Sequence, residues 1–215
     1  PQDPKEVQLL FGHTTWESYG EMVRIYKHYN FAFKAVSSSR KSSFSSYPGA
    51  ITSLDDWFTL PESQLVVMET ALDSHFPDSA YKHRVGPQNM LLAWVRVIVA
   101  NRLAHGSKEW AQLFAQHNSG TANCQWTVID LKQFALAKKS LEATHGMDWK
   151  KVPAAVKEGV LYVTEQHIYD FVNTVSLLLS LCFLCLYLSL SLPAIFRETE
   201  RQRDRERGEL LSSCL

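Results

Sequence analysis

The chain has 215 residues, 46% of them hydrophobic, and 22 Lys plus Arg balance 22 Asp plus Glu. That length allows one domain with an appendage, and the apolar share excludes wholesale disorder. The zero net charge removes the electrostatic case for a nucleic-acid partner.

Taken in chain order, the first expected element is a helix over His13 to Lys27, since Thr14 and Glu17 have capping-box spacing. Trp16, Tyr19, Met22, Val23 and Tyr26 recur along it at helical intervals and predict one buried face. The Ser-rich stretch Ser37 to Ser43 reads as an exposed loop, and Tyr47-Pro48-Gly49 as a turn. Gln64 to Thr70, rich in Leu and Val, is a strand. Pro87 to Ala104 predicts a long helix with Leu91, Trp94, Val95 and Ile98 on its inner stripe. Gly106-Ser107 ends it and caps a short second helix carrying Trp110, Leu113 and Phe114. Asn118-Ser119-Gly120 is a turn, and Asn123 to Asp130 alternates as a strand with Cys124, Trp126 and Val128 on one face. Val160 to Thr164 is a further short strand. Strands and helices mixed without regular βαβ spacing point to an α+β fold.

The character of the chain changes after Gln166. Residues 171–196 form a charge-free, Leu/Ser-rich run, and residues 197–209 an Arg/Glu/Asp run. The apolar run is long enough to cross a bilayer, which takes ~20 residues. Its four serines and Pro193 make it a mediocre span, so membrane insertion is not favoured. Ser-Leu alternation followed by Arg-Glu alternation is what translated simple-sequence DNA yields, and read-through is the preferred account of this tail. The expected division is therefore 1–166 as the domain and 167–215 as an unrelated tail.

The residues alone supply no self-sufficient catalytic motif. There is no Gly-x-Ser-x-Gly, no phosphate-cradling Gly-rich loop and no His-Glu-x-x-His. Scattered histidines and a single Cys182-x-x-Cys185 pair give metal binding no support, so neither metal nor cofactor is expected.

Four segments carry a resemblance. They are Phe11-Gly-His-Thr-Thr-Trp16 continuing to Arg24-Ile-Tyr-Lys-His-Tyr29; Phe44-Ser-Ser-Tyr-Pro-Gly49 with Ser53-Leu-Asp-Asp56; Val99-Ala-Asn-Arg-Leu103 with Lys108-Glu-Trp110; and Asn118-Ser-Gly-Thr121 with Gln125-Trp126. In order and spacing, over about residues 8–166, they resemble the phospholipase B-like (laminin-ancestor) family, closer to the second of its two vertebrate branches. The resemblance implies part of the αββα sandwich of an N-terminal-nucleophile hydrolase acting on lipid ester or amide bonds. It also implies a lysosomal or secreted glycoprotein, whose partners are its substrate and the remainder of its own precursor.

In that family a cysteine freed by autoproteolysis is the nucleophile, its own amine is the base, and buried donors stabilise the oxyanion. The cysteine lies shortly upstream of the Gly-His-Thr-Thr segment, and none of residues 1–12 is Cys, so this chain alone is expected to be inactive. His13 matches an active-site position that orients substrate or a neighbouring group; its alternative is a histidine that bonds backbone. Asp55 or Asp56 is placed to hold the amine, or else to stabilise a turn. Thr70 ends a strand expected to reach the site. Asn118 or Asn123 is a candidate oxyanion donor, set against plain turn asparagines. Where the family has Tyr-Asn-Asn-Gln-Trp this chain has Ala122-Asn-Cys-Gln-Trp126, which puts Cys124 in place of one asparagine. Other readings of the chain are a non-catalytic binding isoform and a single-span membrane protein anchored by residues 171–196.

Overall fold

The computed structural model describes residues 8–15, 18–21, 23–36, 38–53, 57–72, 90–121, 123–144, 149–153, 157–167 and 171–174. The chain divides into two compact units, 1–176 and 177–215, and the described residues all belong to the first. Among them runs one seven-stranded sheet with strands in sequence order. β1 is Ile25–Asn30, β2 Lys41–Ser46, β3 Trp57–Leu60, β4 Leu65–Ala71, β5 Cys124–Asp130, β6 Leu161–Gln166 and β7 Phe171–Thr174. Every neighbouring pair is antiparallel. Helices α1 (Ala93–Leu103) and α2 (Ser107–Ala115) lie between β4 and β5, and α3 (Leu131–Glu142) follows β5. The architecture is α+β.

The core sits between one face of the sheet and the first two helices. The register aligns Phe44, Phe58, Val67, Val128 and Tyr162 across five strands, so a single buried row crosses the sheet. Val97, Ala100 and Ala104 of α1 and its end meet this row, with Trp110 and Phe114 of α2. Trp110, Phe114 and Trp126 form an aromatic cluster with ring centroids 5.1–5.3 Å apart, within the range where such pairs add to simple burial. The indole N–H of Trp110 donates to Asn101 Oδ1 at 2.7 Å, so the largest buried side chain leaves no polar atom stranded.

The strands expected at 64–70, 123–130 and 160–164 are present with small shifts at their ends. Cys124, Trp126 and Val128 share the buried face as the alternation implied. The 47–49 turn is also present: Ala50 N–H donates to Tyr47 O at 3.3 Å, and Gly49 has φ +82°, which suits glycine.

Other expectations are corrected. The helix over 13–27 does not form; Tyr19–Glu21 make one 3-10 turn, and Ile25 to Lys27 enter β1. Of its supposed inner face, Tyr19 is 91%, Val23 61% and Tyr26 54% exposed, while Trp16 and Met22 lie outside the described residues. Pairing of β1 with β2 instead satisfies the backbone, so tertiary pairing overrides the local period. The Ser-rich loop is also wrong, since Lys41 to Ser43 begin β2 and Ser42 is buried. Hydroxyls tolerate that burial because each finds a partner: Ser39 donates to Lys41 O, Ser46 donates to Thr52 O, and Ser42 accepts from Arg102.

Helix α1 starts at Ala93, and the inner stripe is not Leu91, Trp94, Val95 and Ile98. The buried face is Arg96, Val97, Ala100, Asn101 and Arg102, while Leu91 and Trp94 stand about two-fifths exposed. The helix is apolar nearly all round, which leaves periodicity unable to choose the face. Of the expected Gly106-Ser107 cap, Ser107 is instead the first helical residue. Gly106 holds the cap position, and Ser107 Oγ donates to Gly159 O at 2.7 Å, tying α2 to the start of β6. No helix among the described residues is long and apolar enough to cross a membrane, and residues 171–174 pair with β6 as a strand.

Helix α3 had no expectation in the sequence, yet its start is well specified. The buried Asp130 accepts from Lys132 and Gln133 amides at 2.9 and 3.2 Å, an N-cap that satisfies two orphan donors. Asp130→Ala should cost about 1–2 kcal/mol, seen as a lower urea midpoint at unchanged m-value. A loss under about 0.5 kcal/mol would show that the cap is dispensable.

Candidate functional site

The segment before β1 crosses to the sheet face opposite the helices and is held there by stacking. Phe11 lies on Trp57 with centroids 5.4 Å apart and planes at 25°. Two residues on, His13 Nε2 lies 2.7 Å from the backbone carbonyl of Glu69 in β4. A carbonyl only accepts, so this contact requires Nε2 to carry the proton. In the neutral ring Nδ1 then keeps its lone pair, and Thr15 Oγ1 sits 3.5 Å from it. His13 therefore bonds backbone, and the same bond sets the ring's orientation and leaves Nδ1 as the acceptor of the neutral ring.

His13 borders an open groove of about 620 Å³ that is also lined by Thr15, Arg24, Tyr26, Ser45 and Trp57. The lining follows from strand register. Tyr26 pairs with Ser45, and continuing the β2–β3 register by one residue brings Trp57 opposite Ser45. These three therefore project from one face. Arg24, just before β1, lies over the Tyr47 ring at 4.2 Å, a cation–π contact that steadies its guanidinium.

A second cavity, of about 480 Å³, lies on the helix side of the sheet. Ile51, Leu92, Trp94, Val97, Cys124 and Trp126 make it chiefly apolar. Glu69 also lines it, while the Glu69 carbonyl holds His13. One residue of β4 thus joins the imidazole to an apolar hollow.

The remaining expected site residues fall as follows. Thr70 is exposed in β4 directly after Glu69, paired with Gln125. Asn118 accepts from Gly120 N–H at 3.0 Å and from Arg96 at 3.4 Å, and its amide donates to His167 O at 3.0 Å. Its amide donor is engaged by the His167 carbonyl. Asn123 is half-buried, and its backbone carbonyl accepts from Leu72 N–H at 3.0 Å. Asp55 and Asp56 lie outside the described residues. Cys124 is buried and its sulfur accepts from Trp126 Nε1 at 2.8 Å, so it is part of the packing beside the apolar cavity.

Sequence reasoning missed Arg96. It is 2% exposed and donates to Leu91 O, Phe114 O, Asn118 Oδ1 and Gln166 Oε1, with its guanidinium over the Phe114 ring at 4.4 Å. Burial pushes this group down to about 10, which leaves it cationic at neutral pH. The signal was available: one arginine inside Ala93-Trp-Val-Arg-Val-Ile-Val-Ala100 must be satisfied from its surroundings. Arg24 and Trp57 were also missed as groove residues, because only strand register brings them together.

Residues 3–173 match the family model described as phospholipase B. The chain is 43% identical over 159 residues to phospholipase B-like 1 of Rattus norvegicus, covering 74% of this chain and 25% of that protein. It is 42% identical over 160 residues to phospholipase B-like 1 of Homo sapiens, again 74% and 25%. Phospholipase B-like protein C of Dictyostelium discoideum is 38% identical over 161 residues, with the same coverages. The chain thus spans about a quarter of the length of these curated relatives. The vertebrate relatives named here carry the number 1, so they lend no support to an affinity with the second branch.

Proposed function

Because the chain belongs to the phospholipase B-like family, we propose that it forms part of a hydrolase acting on ester or amide bonds of lipids. The observation that carries the reading is His13. Its Nε2 is held by the Glu69 carbonyl, its ring borders an open groove, and Glu69 also lines an apolar cavity on the helix side of the sheet. A ring fixed at one nitrogen can take or return a proton at the other without reorienting, which is what general acid–base chemistry needs. The apolar cavity is of a size and lining suited to an acyl chain.

In this reading the nucleophile is a cysteine upstream of Gly12 supplied by longer forms, and the sheet is one layer of an N-terminal-nucleophile sandwich. The protein works in the lysosome or after secretion. Cys124 is not the nucleophile, since its sulfur is buried and engaged by Trp126.

The test is a chimera in which residues 8–166 replace the matching segment of rat phospholipase B-like 1, assayed on a short-chain lipid ester. His13→Ala should lower kcat about a hundredfold with folding intact. A loss below about threefold would overturn the role of His13. Turnover by the 215-residue chain itself that survives Cys124→Ala would overturn the external nucleophile.

A further inference from the structure

The connection between β1 and β2 carries an apolar tip that the hydrolase reading does not use. Phe31-Ala32-Phe33-Lys34-Ala35 is exposed without a break, with Phe31 at 40% and Phe33 at 55%. The tip is held in shape from below. Val36 N–H donates to Phe33 O at 3.3 Å, which makes a turn with Lys34 and Ala35 at its corner. Phe31 N–H donates to Arg40 O at 3.2 Å and closes the base. The buried Arg102 donates to Ser39 O and Arg40 O at that base, and its guanidinium lies 5.5 Å from the Phe31 ring centroid. A file of rings runs outward: Phe44 meets Tyr29 at 4.9 Å, Tyr29 meets Phe31 at 5.0 Å, and Phe31 meets Phe33 at 5.3 Å. Phe44 is 2% exposed, so the file starts in the core and ends in solvent. Single exposed apolar residues are ordinary, whereas two aromatics presented together on a fixed base mark a contact surface.

The surroundings of the tip are basic. Residues 22–54 hold five Lys and Arg and no Asp or Glu, in a chain of zero net charge. Lys34, Arg40 and Lys41 lie in or beside the loop, and all three are exposed. Glu62 reaches the hairpin at its base, where its carboxylate accepts from the Arg40 and Lys41 amides. The balance of Lys34, Arg40 and Lys41 against Glu62 is positive. A covering protein segment would bury Lys34 along with Phe33 and Ala35, and a buried lysine needs a paired acid. A bilayer makes no such demand, because rings enter the head-group boundary while a lysine stays at the level of the phosphates.

We propose that the β1–β2 hairpin docks this protein on an anionic lipid bilayer, with Phe31 and Phe33 entering the interface and Lys34, Arg40 and Lys41 facing acidic head groups. The contact is peripheral and separate from hydrolysis, so a chain without turnover would bind equally well.

The experiment measures co-sedimentation of the 215-residue chain with vesicles of phosphatidylcholine containing about 30% phosphatidylserine, and with phosphatidylcholine alone. The acidic vesicles should bind about tenfold more tightly, and added salt should weaken that binding. Phe33→Ser should weaken it about tenfold, and Lys34→Gln and Lys41→Gln about fivefold each. These side chains are exposed, and circular dichroism of each variant establishes that the fold is retained. The same comparison is made in the chimera with rat phospholipase B-like 1, where the rest of a longer relative is present. There Phe33→Ser should lower turnover of vesicle-borne lipid and leave turnover of a soluble short-chain ester unchanged.

Equal binding to acidic and neutral vesicles, or binding that Phe33→Ser leaves intact, overturns the proposal, because another part of the chain would then hold the bilayer. Binding by the 215-residue chain that disappears in the chimera also overturns it, since the tip would then be an internal contact of the longer protein. A chimera that binds acidic vesicles through Phe33 and turns nothing over supports the docking surface while the hydrolase reading falls.

Discussion

Replacing Trp110 by alanine should destabilise the domain by about 3–5 kcal/mol, the cost of truncating a large aromatic in a close-packed core. Trp110 is fully buried, and its ring stacks on Phe114 at 5.1 Å and touches Trp126 at 5.3 Å. The truncation removes those contacts and opens a cavity between α2 and β5. It also strands the Asn101 Oδ1 that the indole N–H satisfied, and Asn101 is 2% exposed. An unsatisfied buried acceptor costs about 1–3 kcal/mol, part of which is already in the truncation figure. Trp110→Phe keeps most of the apolar volume and loses the donor, so it should cost clearly less than the alanine. Urea unfolding of both variants reads the difference. If alanine costs under about 1.5 kcal/mol, the cluster is not the centre of the core. If phenylalanine costs as much as alanine, the hydrogen bond outweighs the packing.

Arg96→Met should cost about 3 kcal/mol or more, although methionine fills much of the same length. Four acceptors of the guanidinium among the described residues come from different elements: Leu91 before α1, Phe114 in α2, Asn118 in the following turn and Gln166 at the end of β6. Gln166 is fully buried and its own amide donates to Thr121 O at 2.7 Å, so the network continues into the loop before β5. Each buried oxygen left without its donor costs about 1–3 kcal/mol, and relaxation shared among them keeps the total below the sum. The structural consequence should be local. Hydrogen exchange should quicken first at residues 118–121 and at the end of β6, while β2–β3 stays protected. Uniform loss of protection would mean that Arg96 supports the whole fold and not this junction. A loss below about 1 kcal/mol would mean that the carbonyls are resolvated easily.

The contrast between these two residues bears on what could be read in advance. Trp110 and Trp126 were legible, one from a helical spacing and one from a strict alternation, because each period points to a single face. Helix α1 was legible as a helix and illegible in orientation. Its outer side carries Trp94 and Val99, with Leu92 just before it, all exposed, so apolar residues surround the axis and three polar groups, Arg96, Asn101 and Arg102, face inward. The inward polar groups invert the usual rule, and only their partners on other elements make that inversion affordable.

The region from His13 to Ser46 failed for a related reason. Tyr26, Tyr29 and Phe44 look helical or isolated along the chain, but β1 lies against β2 and the edge-on contact of Tyr29 with Phe44 at 4.9 Å is made across strands. Of the candidate site, His13 was legible only through its family segment. Its environment depends on Glu69, 56 residues away, and no local pattern reports that distance. Thr70 lies next to Glu69 because its strand was read correctly. Asn118 was open between two roles, and its side chain contacts Gly120, Arg96 and His167.

The order of the strands has a kinetic consequence. Six antiparallel pairings make up the sheet; four join strands separated by about ten residues or fewer, while residues 131–160 with α3 separate β5 from β6, and the fourth pairing spans the longest separation. β4 and β5 are separated by residues 72–123, which carry α1 and α2, and the Leu72 N–H to Asn123 O bond pins the base of that excursion. Closing a loop of about 50 residues costs roughly 3.5 kcal/mol on a logarithmic scale, against roughly 2 kcal/mol for a loop of about ten. That difference corresponds to roughly a tenfold slower encounter. The first four strands should therefore assemble as one meander, β5 should join β6 across the longer excursion that carries α3, and the zipping of β4 to β5 over the Trp110 cluster, the longest closure, should be the step that limits folding.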